Sequence, residues 1–134
     1  MSVVLDTNAL IWLLKDSYLL GPKAGQRIDE AAREGRVMVS AASLWQVASL
    51  IARKRMSLGK PLEQWRLDLA RTGIEEVPMD GGMAIAAGEL QYVHPNLASR
   101  VIAATALKEK AVLVTSDPRL LAWKGPVACI DSRV

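Results

Sequence analysis

The chain has no phenylalanine, one cysteine and one histidine among 134 residues, and aromatic side chains make up only 4% of it. A single thiol, Cys129, rules out an internal disulfide and favours a reducing compartment. No glycine-rich turn follows the first apolar run, which removes the dinucleotide-binding fingerprint. No apolar run approaches the roughly 18 to 20 residues a membrane helix needs. The amino-terminal stretch lacks a basic segment, and Asp6 interrupts it too early for a secretion signal, so a cytoplasmic protein is expected. Neither sign of charge dominates. Seventeen Lys and Arg against 14 Asp and Glu leave +3, which tolerates a polyanionic partner without requiring one.

What remains is an ordinary globular composition, 51% hydrophobic and 23% charged, at a length suited to one domain spanning residues 1–134. The most informative stretch is Val3-Val4-Leu5-Asp6-Thr7-Asn8-Ala9-Leu10-Ile11-Trp12-Leu13-Leu14. A β-branched run stops at three polar residues and resumes with helical composition, so the trio caps a strand-to-helix turn. Asp6 then sits at the carboxyl end of a strand, the edge where open α/β sheets bind ligands.

The same grammar recurs along the chain. Strands are expected over residues 37–40, 74–79, 111–115 and 127–130, with helices over about 22–34, 41–53, 62–71, 83–90, 99–110 and 118–123. Residues 91–97, which include His94, Pro95 and Asn96, read as a loop. Alternating strands and helices argue for a three-layer α/β/α fold with a central, mostly parallel sheet of about five strands. The turns after the first, second and fourth strands then share an edge, bringing Asp6 and Asn8, Ser40 to Gln46, and Thr115 to Asp117 toward one crevice.

Two carboxylates in one crevice repel each other unless a cation or a proton relieves them, and Mg²⁺ or Mn²⁺ with oxygen ligands is the usual solution. Such an ion activates water and neutralises a transferring phosphoryl group, which suits phosphodiester hydrolysis. An aspartyl-phosphate enzyme also begins with Asp at the first strand end, but it needs a second Asp where Asn8 stands.

Four segments in order resemble the PIN-domain family: Leu5-Asp6-Thr7-Asn8-Ala9-Leu10; Ser40-Ala41-Ala42-Ser43-Leu44-Trp45; His94 with Arg100-Val101-Ile102-Ala103-Ala104-Thr105-Ala106; and Leu113-Val114-Thr115-Ser116-Asp117. They are most similar to the compact VapC-type toxins of toxin-antitoxin pairs. The resemblance implies an endoribonuclease that holds Mg²⁺ or Mn²⁺ on four acids, forms a homodimer, and is neutralised by a cognate antitoxin. Here Asp6 and Asp117 match the first and fourth acids and are the expected catalytic and metal-holding residues. Gln46 and Ser99 stand at the second and third, and Asn96 replaces a further Asp common in close relatives. Two charges lost at the site lower the expected metal affinity and favour one ion over two. The alternative is a PIN-like module whose catalysis has lapsed, kept for binding RNA, antitoxin or itself.

Plainer readings attach to each residue. Asp6 and Asp117 also read as helix caps, each worth about 1 kcal/mol. Gln46 and Ser99 serve equally as hydrogen-bonded remnants that hold Asp6 in place. Arg100, Asn8 and Thr115 are the expected substrate contacts, Arg100 because a helix amino-terminus favours anions. His94 is expected to bond a nearby backbone carbonyl rather than act as a base. The four tryptophans are expected in the core or a subunit interface, and Arg53-Lys54-Arg55 with Lys60 at a solvated helix end, with an RNA-tracking surface as the functional alternative.

Overall fold

The computed structural model describes residues 1–134. Short apolar runs buried on both faces, the pattern of a parallel sheet's interior, supply its central strands: β1 (Val3–Leu5), β2 (Val37–Ser40) and β4 (Val112–Thr115) are buried at every residue. With β3 (Glu75–Val77) and β5 (Cys129–Asp131) at the edges they form one sheet in the order β3-β2-β1-β4-β5, and every neighbouring pair is parallel. The expected architecture is therefore present.

Alternation along the strands divides the core. Val3, Leu5, Val37, Val39, Val112 and Val114 face α1 (Thr7–Leu14) and α2 (Pro22–Glu34), with Leu69 of α4 (Leu62–Arg71) packed there too. Val4, Met38 and Leu113 face the other layer, where α5 (Gly81–Gly88) and α6 (Leu97–Glu109) lie. Every residue from Val101 to Ala106 in α6 is buried. Its middle is small and apolar because it packs between the sheet, α3 (Ala41–Ala52) and α5.

Chain order and strand order disagree at one place. The chain moves outward from β1 to β2 and β3, then returns across β1 to β4, so the switch point lies between β1 and β4. The crevice at the carboxyl ends of those strands is where such a sheet admits a ligand.

Element ends differ from the sequence expectation where a cap intervenes. Asn96 accepts the amide of Ser99 at 3.1 Å, so α6 starts two residues earlier than expected, at Leu97. Asp80 likewise accepts the amide of Met83 at 2.9 Å, and α5 starts at Gly81. β5 is displaced from the expected 127–130: Val127 is buried in the core, but pairing starts only when the Ala128 carbonyl accepts the Leu113 amide at 2.9 Å.

Candidate active site

Strand register assembles the centre of the site. Leu5 pairs with Val114, so the residues that follow, Asp6 and Thr115, emerge side by side at the switch point. Thr115 Oγ1 donates to Asp6 Oδ2 at 2.6 Å and accepts the amide N–H of Asp117 at 3.0 Å. One hydroxyl thus ties the two acids together. Thr115 is fully buried, so its place is beneath the acids and not, as expected from the sequence, against a substrate.

Each acid is also a helix cap. Asp6 Oδ1 accepts the Ala9 amide at 2.8 Å. Asp117 Oδ1 accepts the Arg119 amide at 2.8 Å at the start of α7 (Pro118–Ala122). The cap and the functional reading therefore coexist: capping fixes the rotamer and leaves each carboxylate some lone-pair capacity. Asp6 is only 8% exposed, and that burial pushes its pKa up. Hydrogen bonds from Thr115 and from the amides of Ala9 and Ser116 pull it back, and the charge of Asp117 adds to the rise.

Asp117 has a partner that sequence reasoning missed. His94 Nε2 lies 2.7 Å from Asp117 Oδ2, while His94 Nδ1 accepts the amide N–H of Asn96 at 2.9 Å. A ring that accepts at Nδ1 carries its proton on Nε2, so His94 donates to Asp117. The expected bond to a backbone carbonyl is absent, and with both nitrogens engaged the ring orients an acid and is not free to act as a base. Arg100 stands in the first turn of α6 as expected. Its guanidinium folds back onto the carbonyls of His94 and Pro95, the latter at 3.0 Å, so it orders the loop carrying His94 and does not line the cleft.

Asp6, Asn8, Gln46, Asn96, Ser99 and Asp117 all line one open cleft of about 340 Å³. The sequence-derived positions other than Thr115 and Arg100 therefore converge. On the α3 side the polar atoms are linked: Thr7 Oγ1 lies 2.9 Å from Ser43 Oγ and hydrogen-bonds Gln46 Oε1. A hydroxyl has one proton to give and a carbonyl oxygen has none, so Thr7 donates to Gln46 and Ser43 to Thr7. The free polar end of Gln46 is then its NH₂, a donor suited to a phosphate oxygen rather than to a cation.

Nowhere do three His, Cys, Asp or Glu side chains converge as a metal cage would require. Mg²⁺, however, commonly keeps several waters and binds through one or two carboxylates plus substrate phosphate. Asp6 and Asp117, joined by Thr115 at the rim of an open cleft, fit that arrangement for a single ion.

An open parallel α/β sheet with two carboxylates at its switch point defines a class of folds that bind ligands at that edge, and comparison with known proteins narrows it. The PIN domain family model matches residues 3–124. Ribonuclease VapC22 of Mycobacterium tuberculosis is 30% identical over 126 residues, covering 93% of this chain and 94% of that protein. The chain belongs to the PIN-domain family. Among solved structures, VapBC2 from Rickettsia felis bound to a DNA fragment from its promoter superposes with a TM-score of 0.71 at 18% identity, covering 97% of this chain and 98% of that one. DNA-bound VapBC from Salmonella typhimurium gives 0.64 at 21% identity, with 98% of each chain covered. These two likenesses establish the fold. No helix is long and apolar enough to cross a membrane.

Proposed function

We propose that the chain, acting as one PIN-like unit over residues 1–134, is an endoribonuclease of the toxin type that hydrolyses RNA phosphodiester bonds with one Mg²⁺ or Mn²⁺. The observation that carries this reading is the Asp6–Thr115–Asp117 linkage at the β1–β4 switch point. The family relationship to a ribonuclease supports it.

Asp6 and Asp117 would hold the ion, which when bound neutralises charge on the transferring phosphoryl group and lowers the pKa of the attacking water. Thr115 fixes Asp6, and His94 fixes Asp117. Gln46 cannot take a proton, and Ser99 has no activating partner. The carboxylate that orients the water is therefore Asp6 or Asp117. The Gln46 NH₂ and Asn8 are placed along the same cleft to donate to phosphate oxygens. A cognate antitoxin is the proposed protein partner, because structures of like fold were determined as VapBC complexes. Homodimerisation and a cytoplasmic site of action complete the reading.

The test is cleavage of a single-stranded RNA by the purified chain with Mg²⁺, Mn²⁺ or EDTA, beside Asp6→Asn. Metal-dependent cutting that falls about 10²–10³-fold in the variant is expected, and cutting at the native rate in Asp6→Asn would sink the proposal. A second reading, a lapsed module, is favoured by one observation: Gln46 spends its oxygen on Thr7 and offers no charge. Under it the native chain is inert and Gln46→Glu with Ser99→Asp switches cleavage on.

A further inference from the structure

Of the four tryptophans expected in the core or a subunit interface, Trp45 lies outside the core. It is 63% exposed, whereas Trp12, Trp65 and Trp123 are half-buried. Residues 45, 49 and 53 recur at four-residue spacing and so share one face of α3 and its end. Trp45, Ser49 and Arg53 all line the cleft that contains Asp6 and Asp117. Arg53 is the carboxyl-terminal cap of α3, is exposed, and has no carboxylate partner. Arg36, Arg66, Arg71 and Arg133 are each paired with one; Arg27, Arg33, Arg55, Arg100 and Arg119 are not, but Arg53 alone of the arginines lines this cleft. An indole left in water and an uncommitted guanidinium further along the same helix face, both at the lip of a polar cleft, have little to offer the fold. Together they are the two groups an unpaired nucleotide strand uses: an aromatic plate for a base and a cation for a phosphate.

We propose that Trp45 and Arg53 form a docking strip for single-stranded RNA leading into the Asp6–Asp117 cleft, Trp45 stacking on a base and Arg53 contacting a backbone phosphate. The strip deepens the nuclease reading above and rests on it. The helical rise of 1.5 Å per residue separates the two positions by about 12 Å along α3. The strip therefore grips the strand at separate points before it reaches the acids. A base in a duplex has no free face to offer the indole, so stacking selects unpaired strands. Because every base has such a face, the strip itself adds little sequence preference.

The experiment measures binding, not cleavage, so that its failure is distinguishable from failure of the nuclease reading. Native chain, Trp45→Ala, Trp45→Phe and Arg53→Ala are titrated in EDTA with a fluorescein-labelled eight-nucleotide 2′-O-methyl adenylate strand and with its fully abasic counterpart. Trp45→Ala is expected to weaken binding to the adenylate strand about 5- to 150-fold, the range for loss of one base–aromatic stack. It should leave the abasic strand unaffected, and Trp45→Phe should restore most of the loss. Arg53→Ala should weaken both strands alike and reduce the slope of log K against log salt by about 1. Thermal melts of the variants confirm folding, which an exposed side chain leaves intact. The proposal is overturned if the native chain binds neither strand, or if Trp45→Ala binds adenylate as the native chain does. Equal loss for both strands overturns it as well. Unchanged binding with a shift toward monomer in sedimentation would assign Trp45 to a contact between two copies. Cleavage lost in Asp6→Asn but indifferent to Trp45→Ala, with binding also indifferent, would remove the strip and leave the nuclease.

Discussion

The two walls of the cleft are built from similar polar residues but spend them differently. On the β1–β4 wall, Asp6 and Asp117 carry charge, share Thr115, and are each fixed by a second group, Ala9 for one and His94 for the other. On the α3–α6 wall, Gln46 gives its oxygen to Thr7, and Asn96 gives its oxygen to the Ser99 amide at the start of α6. One wall is organised to hold positive charge. The other offers an amide NH₂ and a hydroxyl, groups that donate to an anion. The asymmetry argues that a cation would be gripped from one side only, with the substrate's phosphate completing the other side, consistent with Mg²⁺ held by few protein ligands.

The largest expected effect tests the walls against each other. Asp6→Asn should lower RNA cleavage about 10²–10³-fold, the range for removing one group that stabilises developing charge. Gln46→Ala, on the neutral wall, should stay within about tenfold, since only a donor to phosphate is lost. Initial rates at saturating Mn²⁺ measure both. Equal losses would break the comparison, because they would make Gln46 as central as the acid.

Next in size is an attempt to abolish the asymmetry. Gln46→Glu with Ser99→Asp places carboxylates on the neutral wall, and more ligand charge tightens divalent binding. Calorimetric titration with Mn²⁺ should show affinity rising about 10–100-fold, the range over which a site's immediate surroundings tune a metal. An unchanged affinity would mean that Thr7 and Ser43 hold residue 46 away from the ion whatever its charge.

How much of this was legible in the sequence follows from the range of the interactions. Strands buried on both faces announce themselves as short apolar runs, and the polar residues ending Val3–Leu5 and Val112–Thr115 mark Asp6 and Asp117 without further information. The His94–Asp117 pair spans 23 residues and depends on where a loop without periodicity comes to rest, so no local pattern encodes it. The same holds for Gln46, whose free end is decided by Thr7, 39 residues away. Arg100 was misjudged for a related reason. Its position in the first turn of a helix is local, but the carbonyls it found belong to the loop before it. Trp45 lies on a helix apolar at nine of its 12 positions, where composition cannot say which side faces water.

His94 supplies a smaller effect, confined to the acidic wall. Because both its ring nitrogens are engaged, it acts through Asp117, and a partner of this kind commands about 10–100-fold in activity or metal affinity. His94→Ala should lower kcat and Mn²⁺ affinity and leave the KM for RNA close to native. His94→Gln, whose amide N–H can replace the donor to Asp117, should recover part of the loss. A rise in KM alone would mean that His94 touches substrate after all.

The smallest effect concerns stability, and its sign opposes that on activity. Burial holds the Asp6 carboxyl above its ordinary value of 3.8, so the folded chain binds that proton more tightly than the unfolded chain does. The stability linked to this proton is present while Asp6 is protonated and is lost as pH rises through the raised value. At neutral pH, without a divalent ion, the charged acid therefore destabilises the fold. In Asp6→Asn the amide oxygen still accepts from Ala9 but the NH₂ cannot accept from Thr115 Oγ1 as the carboxylate does, so removing the buried charge should raise stability by at most about 0.5–2 kcal/mol. Urea unfolding in EDTA should show that gain at pH 7 shrinking as pH falls through the raised value and levelling off below the ordinary value of 3.8, where Asp6 is protonated folded and unfolded alike. A gain that did not vary with pH would trace it to packing. A loss of stability at pH 7 would mean that the hydrogen bonds from Thr115, Ala9 and Ser116 outweigh burial, leaving the acidic wall no more strained than the neutral one.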